Sequence, residues 1–159
     1  MIRRVINSDL KHILHIQRKV YLEDLIETSQ SISSKLTISP ETCFVHLTGN
    51  NVNAYCLCYP FPKLESPPLN DVLDKNYSSE NLFVHDLCVS PQYRGLGIAK
   101  IMIDHLFEVC RSHNFHSMTL VAVQNSEKFW HKFGFVVVQD TNSSSSYGVD
   151  SKLMFCENI

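Results

Sequence analysis

Residues 82–100 read LFVHDLCVSPQYRGLGIAK. The first eight residues are mostly apolar, which predicts a central strand. A turn carrying Gly95 and Gly97 follows. Ile98, Ile101, Met102, His105, Leu106 and Val109 then recur at helical spacing. Strand, glycine turn and helix start together form a geometry suited to a diphosphate. Glycines let the backbone approach closely, and a helix N-terminus offers free N–H groups and partial positive charge. Arg94 adds a charge-assisted contact. Taken alone, the loop is equally readable as a plain strand-to-helix turn. Two commoner phosphate patterns are excluded: the dinucleotide fingerprint needs a small residue where Lys100 stands, and G-x-x-x-x-G-K-[ST] is absent.

Working outward, residues 2–6 predict a first strand. Asn7 or Ser8 would cap a helix that runs to about Tyr21, with Gln17 interrupting its apolar stripe. A weaker second helix is expected from about Glu23 into the serine-rich SQSISSK. Residues 42–47 and 52–60 flank a GNN turn and read as an antiparallel hairpin. The segment 60–81 holds four prolines and must be a long connection. After the glycine loop and its helix come a buried strand at 117–123 and a short helix in 125–135 that ends at Gly134. Closing strands at 135–139 and 151–156 flank a loop at 141–149. This order predicts an α/β mixed sheet with helices packed against it.

The chain has 159 residues, fitting one domain over 1–159, and 44% hydrophobic residues suffice for a sizeable core. A net charge of −2 with no basic block argues against nucleic-acid and membrane-surface partners. There is no apolar signal core and no run of about 18 apolar residues, so a cytoplasmic protein is expected. Six scattered cysteines, none in a CxxC pair, read as buried reduced thiols. The histidine pairs His12/His15 and His113/His116 have no third ligand at a known spacing, so no metal is expected.

Gln92-Tyr93-Arg94-Gly95-Leu96-Gly97 matches the Q/R-x-x-G-x-G/A signature of the GNAT superfamily of N-acetyltransferases. FWHKFGF at 129–135 resembles that superfamily's lYeklGF segment at the right spacing. The resemblance is sharpest from Leu82 to Phe135 and points to an uncharacterised bacterial-type branch. It implies a mostly antiparallel, splayed sheet flanked by helices, and acetyl-CoA as co-substrate. By the same resemblance, the loop N–H groups from about Gln92 to Gly97, at the start of the helix opened by Ile98, hold the pyrophosphate. The strand at Leu87, Cys88 and Val89 would pair with the pantetheine arm, and a backbone N–H there would polarise the thioester carbonyl. Asn125 and Ser126 are further candidate cofactor contacts. The resemblance admits a homodimer.

Acetyl transfer needs a neutral amine, and a lysine-like amine of pKa about 10.4 is almost wholly protonated at pH 7. His85 and Asp86 are therefore the candidates for taking its proton. Spermidine/spermine and glucosamine-phosphate acetyltransferases read E-D-x-x-V where this chain reads His85-Asp86-Leu87-Cys88-Val89. Three readings stay open: His85 relays the proton while Asp86 organises the site, Asp86 is itself the base, or both are structural. Strand alternation predicts that the two side chains point to opposite faces. Trp130 stands at the superfamily's tyrosine position, and an indole donates hydrogen bonds but is no usable acid. Tyr147 or water could protonate the departing thiolate instead. Cys88 is a conceivable acyl-cysteine, though direct attack by the amine needs none.

The acceptor, a small-molecule or peptide amine, is expected between the first helices, the 60–81 segment and the 140–149 loop. Glu23, Asp24, Glu27, Glu65, Asp71 and Asp74 lie on these segments and would suit a cation. A non-catalytic acyl-CoA-binding or sensing module is the competing reading. It draws on the missing tyrosine and on histidine in place of glutamate.

Overall fold

Gly49, with φ of +59°, makes the tight turn between β2 (Phe44–Thr48) and β3 (Asn51–Pro60), confirming the hairpin. These strands belong to a computed structural model that describes residues 1–138, 145–157 and 159. The remaining strands are β1 (Ile2–Arg4), β4 (Asn81–Val89), β5 (Ser117–Ala122), β6 (Val136–Val137) and β7 (Lys152–Glu157). Among the described residues they form a single seven-stranded sheet in the order β1-β2-β3-β4-β5-β7-β6. Only β4 and β5 run parallel, and that pair is joined through the crossover helix α3 (Ile98–Ser112). The expected mixed, mostly antiparallel sheet is therefore present.

Each face carries its own apolar layer. On one, α3 packs Met102, Ile103 and Leu106 against Cys56, Cys58, Leu82 and Val84. Ile101, placed in the predicted stripe, is 46% exposed, and Ile103 is buried instead. On the other face, α1 (Leu10–Val20) and α2 (Ser29–Ile38) bury Ile13, Ile16 and Ile32 against Val45, Tyr55 and Leu57. Fully burying such a side chain contributes about 1.5–3 kcal/mol. All six cysteines are free and buried, as expected.

Three local expectations are corrected. Residues Asn7–Asp9 form a 3-10 turn, and neither Asn7 nor Ser8 caps α1. Instead Asp9 accepts the Ile6 N–H at 2.9 Å and a two-point contact from Arg3. The second helix begins at Ser29 rather than near Glu23, capped by the Thr28 hydroxyl on the Ser31 N–H. Its serine-rich sequence is not a loose end, because Ser31 and Lys35 are buried and hydrogen-bonded. Of the closing segments, residues 139–144 lie outside the described residues. Ser145–Tyr147 form a 3-10 turn with Tyr147 buried.

Candidate active site

The β4–β5 pairing is short. Asn81 to Val84 pair with Ser117 to Leu120, and the strands part beyond that point. Asn81 pins the closed end, its side-chain oxygen accepting from the Ser117 and Thr119 hydroxyls at 2.8 and 3.0 Å. The open end is a cleft of about 480 Å³, lined on one side by His85 to Val89 and on the other by Leu120, Val121 and Val123. Ser90 donates its N–H to the Asn53 carbonyl at 2.8 Å. By strand alternation the N–H groups of Val89 and Leu87 point the opposite way, into the gap.

A β-bulge sits at His85. Leu57 opposes Asp86 and Cys58 opposes Val84, so His85 has no partner on β3. The extra residue resets the alternation. His85 and Asp86 therefore share the face covered by α1 and α2, against the expectation of opposite faces. Asp86 receives the hydroxyls of Tyr21 and Tyr55, one on each carboxylate oxygen. The His85 ring has Glu27 on Nε2 and the Tyr59 hydroxyl on Nδ1 at 3.3 Å. Its side chain is 1% exposed, and both ring nitrogens are engaged.

Glu27 ties this cluster to the rest of the fold. Its second oxygen accepts from Lys35 Nζ at 3.2 Å, the Ser31 hydroxyl at 2.9 Å and the Asn70 N–H at 2.9 Å. Lys35 is fully buried and also reaches the Asp71 carbonyl at 3.0 Å, fastening the proline-rich segment to α2. Gln17, read from the sequence as an interruption, clamps the Glu27 backbone at both N–H and C=O. The two carboxyls are pushed apart. Burial would raise Glu27, but the His85 ring and the Lys35 ammonium outweigh it and hold Glu27 well below the usual carboxylate range. Burial dominates at Asp86 and pushes it up to about 6, against the downward pull of Tyr21, Tyr55 and His85. One carboxylate is a fixed anion and the other titrates near neutrality.

In the glycine loop the free backbone donors lie toward the helix, not over the whole of Gln92 to Gly97. Tyr93 and Arg94 spend their N–H groups on the Ser90 and Pro91 carbonyls. From Gly95 to Lys100, no N–H has a backbone acceptor among the described residues; the helical ladder starts with Ile101 bonding to Gly97. Gly95 and Gly97 have φ of +77° and +76° with open space where a Cβ would stand, and Leu96 is exposed between them. Gln92 and Arg94 are exposed, and Arg94 borders the cleft with no ion-pair partner among the described residues. Ile98 is buried beneath the loop.

Trp130, in the short α4 (Glu127–His131), is 7% exposed and packs edge-on against Phe129 and Phe135. It lines the cleft, and its indole N–H has no partner among the described residues and is not sealed from solvent. Ser126 also lines the cleft, whereas Asn125 lines a separate small pocket. Cys88 faces α1, and burial pushes its thiol far above its usual value, which opposes an acyl-cysteine. The Tyr147 hydroxyl donates to the Pro67 carbonyl at 2.9 Å. Of the six acidic residues expected to welcome a cation, only Glu27 borders the cleft, and it is already paired.

Sequence reasoning missed Tyr21, Tyr55, Lys35 and Gln124. Gln124 accepts the Leu22 N–H at 3.0 Å and donates to the Val20 carbonyl at 3.2 Å, bracketing the backbone of Tyr21 from across the cleft. The one linear cue was the spacing of Glu27, Ser31 and Lys35, each four residues from the next.

A model of the acetyltransferase (GNAT) family matches residues 10–135. Among solved structures, the chain is similar to Ard1 from Thermoplasma volcanium, at 17% identity and TM-score 0.78, covering 100% of this chain and 97% of that one. It is also similar to the GphF GNAT-like decarboxylase in complex with isobutyryl-CoA, at 13% identity and TM-score 0.81, covering 99% and 98%. A third similar structure is the PaiA N-acetyltransferase from Thermoplasma acidophilum in complex with coenzyme A, at 13% identity and TM-score 0.72, also covering 99% and 98%. At these identities the likeness concerns the fold. No curated protein matches the sequence.

Proposed function

The chain belongs to the acetyltransferase (GNAT) family, and from that premise we propose that it is an acetyl-CoA-dependent N-acetyltransferase using direct attack by an amine in a ternary complex. One observation carries the reading. A gap between parted parallel strands has a row of unpaired backbone donors and a free arginine at one end, and a carboxyl titrating near neutrality at the other.

Acetyl-CoA supplies an activated thioester carbonyl; the chain must hold it, polarise it and receive a proton from the amine. The N–H groups of Gly95 to Lys100 and Arg94 suit the diphosphate, being fixed donors at the start of a fifteen-residue helix with no competing acceptor. The Leu87 and Val89 N–H groups, aimed into the gap, suit the pantetheine amides and the thioester oxygen. Such preset donors stabilise developing negative charge without reorganisation. The Trp130 N–H is a free donor on the cleft wall for sulfur or oxygen.

The proton relay falls to Asp86 through Tyr21. Tyr21 borders the cleft and donates to Asp86, so it can take a proton from the amine while passing its own to the carboxylate. His85 has no ring nitrogen left for the amine. Its Nε2 meets Glu27 and its Nδ1 meets the Tyr59 hydroxyl, which makes His85 an organiser of the site.

Thermal shift with acetyl-CoA, paired with a thiol-release assay over a range of primary amines, tests the reading. Stabilisation with amine-dependent thiol release is expected. Stabilisation with no release from any amine would convert the protein into an acyl-CoA-binding module, and no stabilisation would remove both readings.

A further inference from the structure

The part of the cleft beyond the parted strands, where an acceptor must approach Tyr21 and Asp86, has a distinctive inventory. Its walls are Val20, Leu25, Leu69, Val121 and the ring of Tyr147. Every ionised or strongly polar side chain reaching it from α1, α2, β4 or the proline-rich segment is already satisfied. Glu27 holds Lys35, Ser31, Asn70 and His85, and Asp86 holds two tyrosine hydroxyls. Gln124 has both ends of its amide on the backbone, and the Tyr147 hydroxyl is on Pro67. Glu23, Asp24, Glu65, Asp71 and Asp74 do not line the cleft. Arg94 is at the glycine-loop end.

Resting on the acetyltransferase reading, we propose that this cleft takes an amine borne on an uncharged, apolar group and excludes acceptors that carry a second charge beside the amine. A second ammonium, carboxylate or phosphate entering here would leave water and find no partner among the described residues. An aliphatic group would exchange water for the leucine, valine and tyrosine walls.

The same site favours a weakly basic amine. A carboxyl near 6 accepts a proton from an α-amino group of pKa about 8 against a gap of about two units. From a lysine-type amine near 10.4 the gap exceeds four, a difference of about a hundredfold in neutral amine. Leucinamide combines both properties, with an α-amine, an aliphatic side chain and no carboxylate.

Thiol release by the full chain is measured with acetyl-CoA and leucinamide, leucyl-alanyl-alaninamide, leucine, Nα-acetyl-lysinamide and spermidine. Leucinamide is expected to exceed leucine, Nα-acetyl-lysinamide and spermidine by at least about a hundredfold in kcat/KM. The tripeptide amide separates the two sources of this chemistry: activity on both amides opens the cleft to peptide N-termini, and activity on leucinamide alone limits it to small amines. Leu69→Glu, which puts a carboxylate on the wall, should lower leucinamide kcat/KM about tenfold with the acetyl-CoA Kd unchanged. Turnover of spermidine or leucine within tenfold of leucinamide overturns the proposed class and leaves acetyl transfer standing. An unaffected Leu69→Glu variant also overturns it. Acetyl-CoA binding without turnover of any of the five amines overturns both the class and the transferase reading.

Discussion

Asp86→Asn should make the protein more stable at neutral pH and nearly inactive. The Asp86 carboxyl ionises at an ordinary value of 3.8 in the unfolded chain and at about 6 in the fold. Between those values the folded chain holds a proton that the unfolded chain has released, so stability falls as pH rises through that window. A shift of about two units, at 1.36 kcal/mol each, amounts to about 3 kcal/mol lost by pH 7. Asparagine has no such proton, and its amide can still meet the Tyr21 and Tyr55 hydroxyls. The difference in unfolding free energy, variant minus wild type, should therefore grow by about 2.5 kcal/mol from pH 4 to pH 8, the first part of the loss having fallen below pH 4. A constant offset from the amide leaves that growth unchanged. Glu27, being depressed, loses its stabilising contribution only as pH falls below about 4.5, in both proteins, and cancels. Urea unfolding at pH 4, 6 and 8 measures the difference, with equal m-values as the check. In parallel, kcat should fall by about 10²–10⁴ with acetyl-CoA affinity intact, and the acidic limb of the wild-type rate profile should lie near pH 6. A stability difference flat to within about 1 kcal/mol across that range would refute the reasoning, because the carboxyl would then not be raised by the fold. Retained activity would remove Asp86 from the relay.

Three other perturbations probe neighbouring parts of the site. Gln124→Leu removes the two hydrogen bonds that bracket Tyr21 and should lower kcat about tenfold without changing acetyl-CoA affinity. In a Tyr21→Phe background the same change should cost nothing further; additive losses in the double variant would show that Gln124 does not act through Tyr21. Lys35→Met strands Glu27 and should cost about 3–5 kcal/mol, lowering Tm by about 6–20 °C. Adding Glu27→Gln should restore part of that loss in a thermal melt. Arg94→Ala should weaken acetyl-CoA binding about three- to tenfold by calorimetry in low salt, with the deficit shrinking as salt rises, since the arginine is exposed.

The glycine loop was legible because its instructions are local. Positive φ at Gly95 and Gly97 and the start of α3 depend on a few adjacent residues, and the row of free donors follows from them. The faces of α1 and α3 were legible because apolar periodicity is local too. Gln17 and the serine-rich helix were misread for the opposite reason. Their value lies in partners 10 or 40 residues away, Glu27 and the Asp71 carbonyl, which no window of sequence contains.

By itself, the sequence determined the order of elements, the mixed sheet and the glycine turn with its free backbone donors, since propensity, turn chemistry and hydrophobic period act over a few residues. Only the tertiary structure decided the chemistry of the cleft. One extra residue in β4 turned His85 and Asp86 to the same face. Burial then set their roles: the His85 ring and a buried lysine held Glu27 as an anion, while desolvation left Asp86 titrating near neutrality under two tyrosines. Register and desolvation are properties of strands and helices already packed together, so neither could be read along the chain.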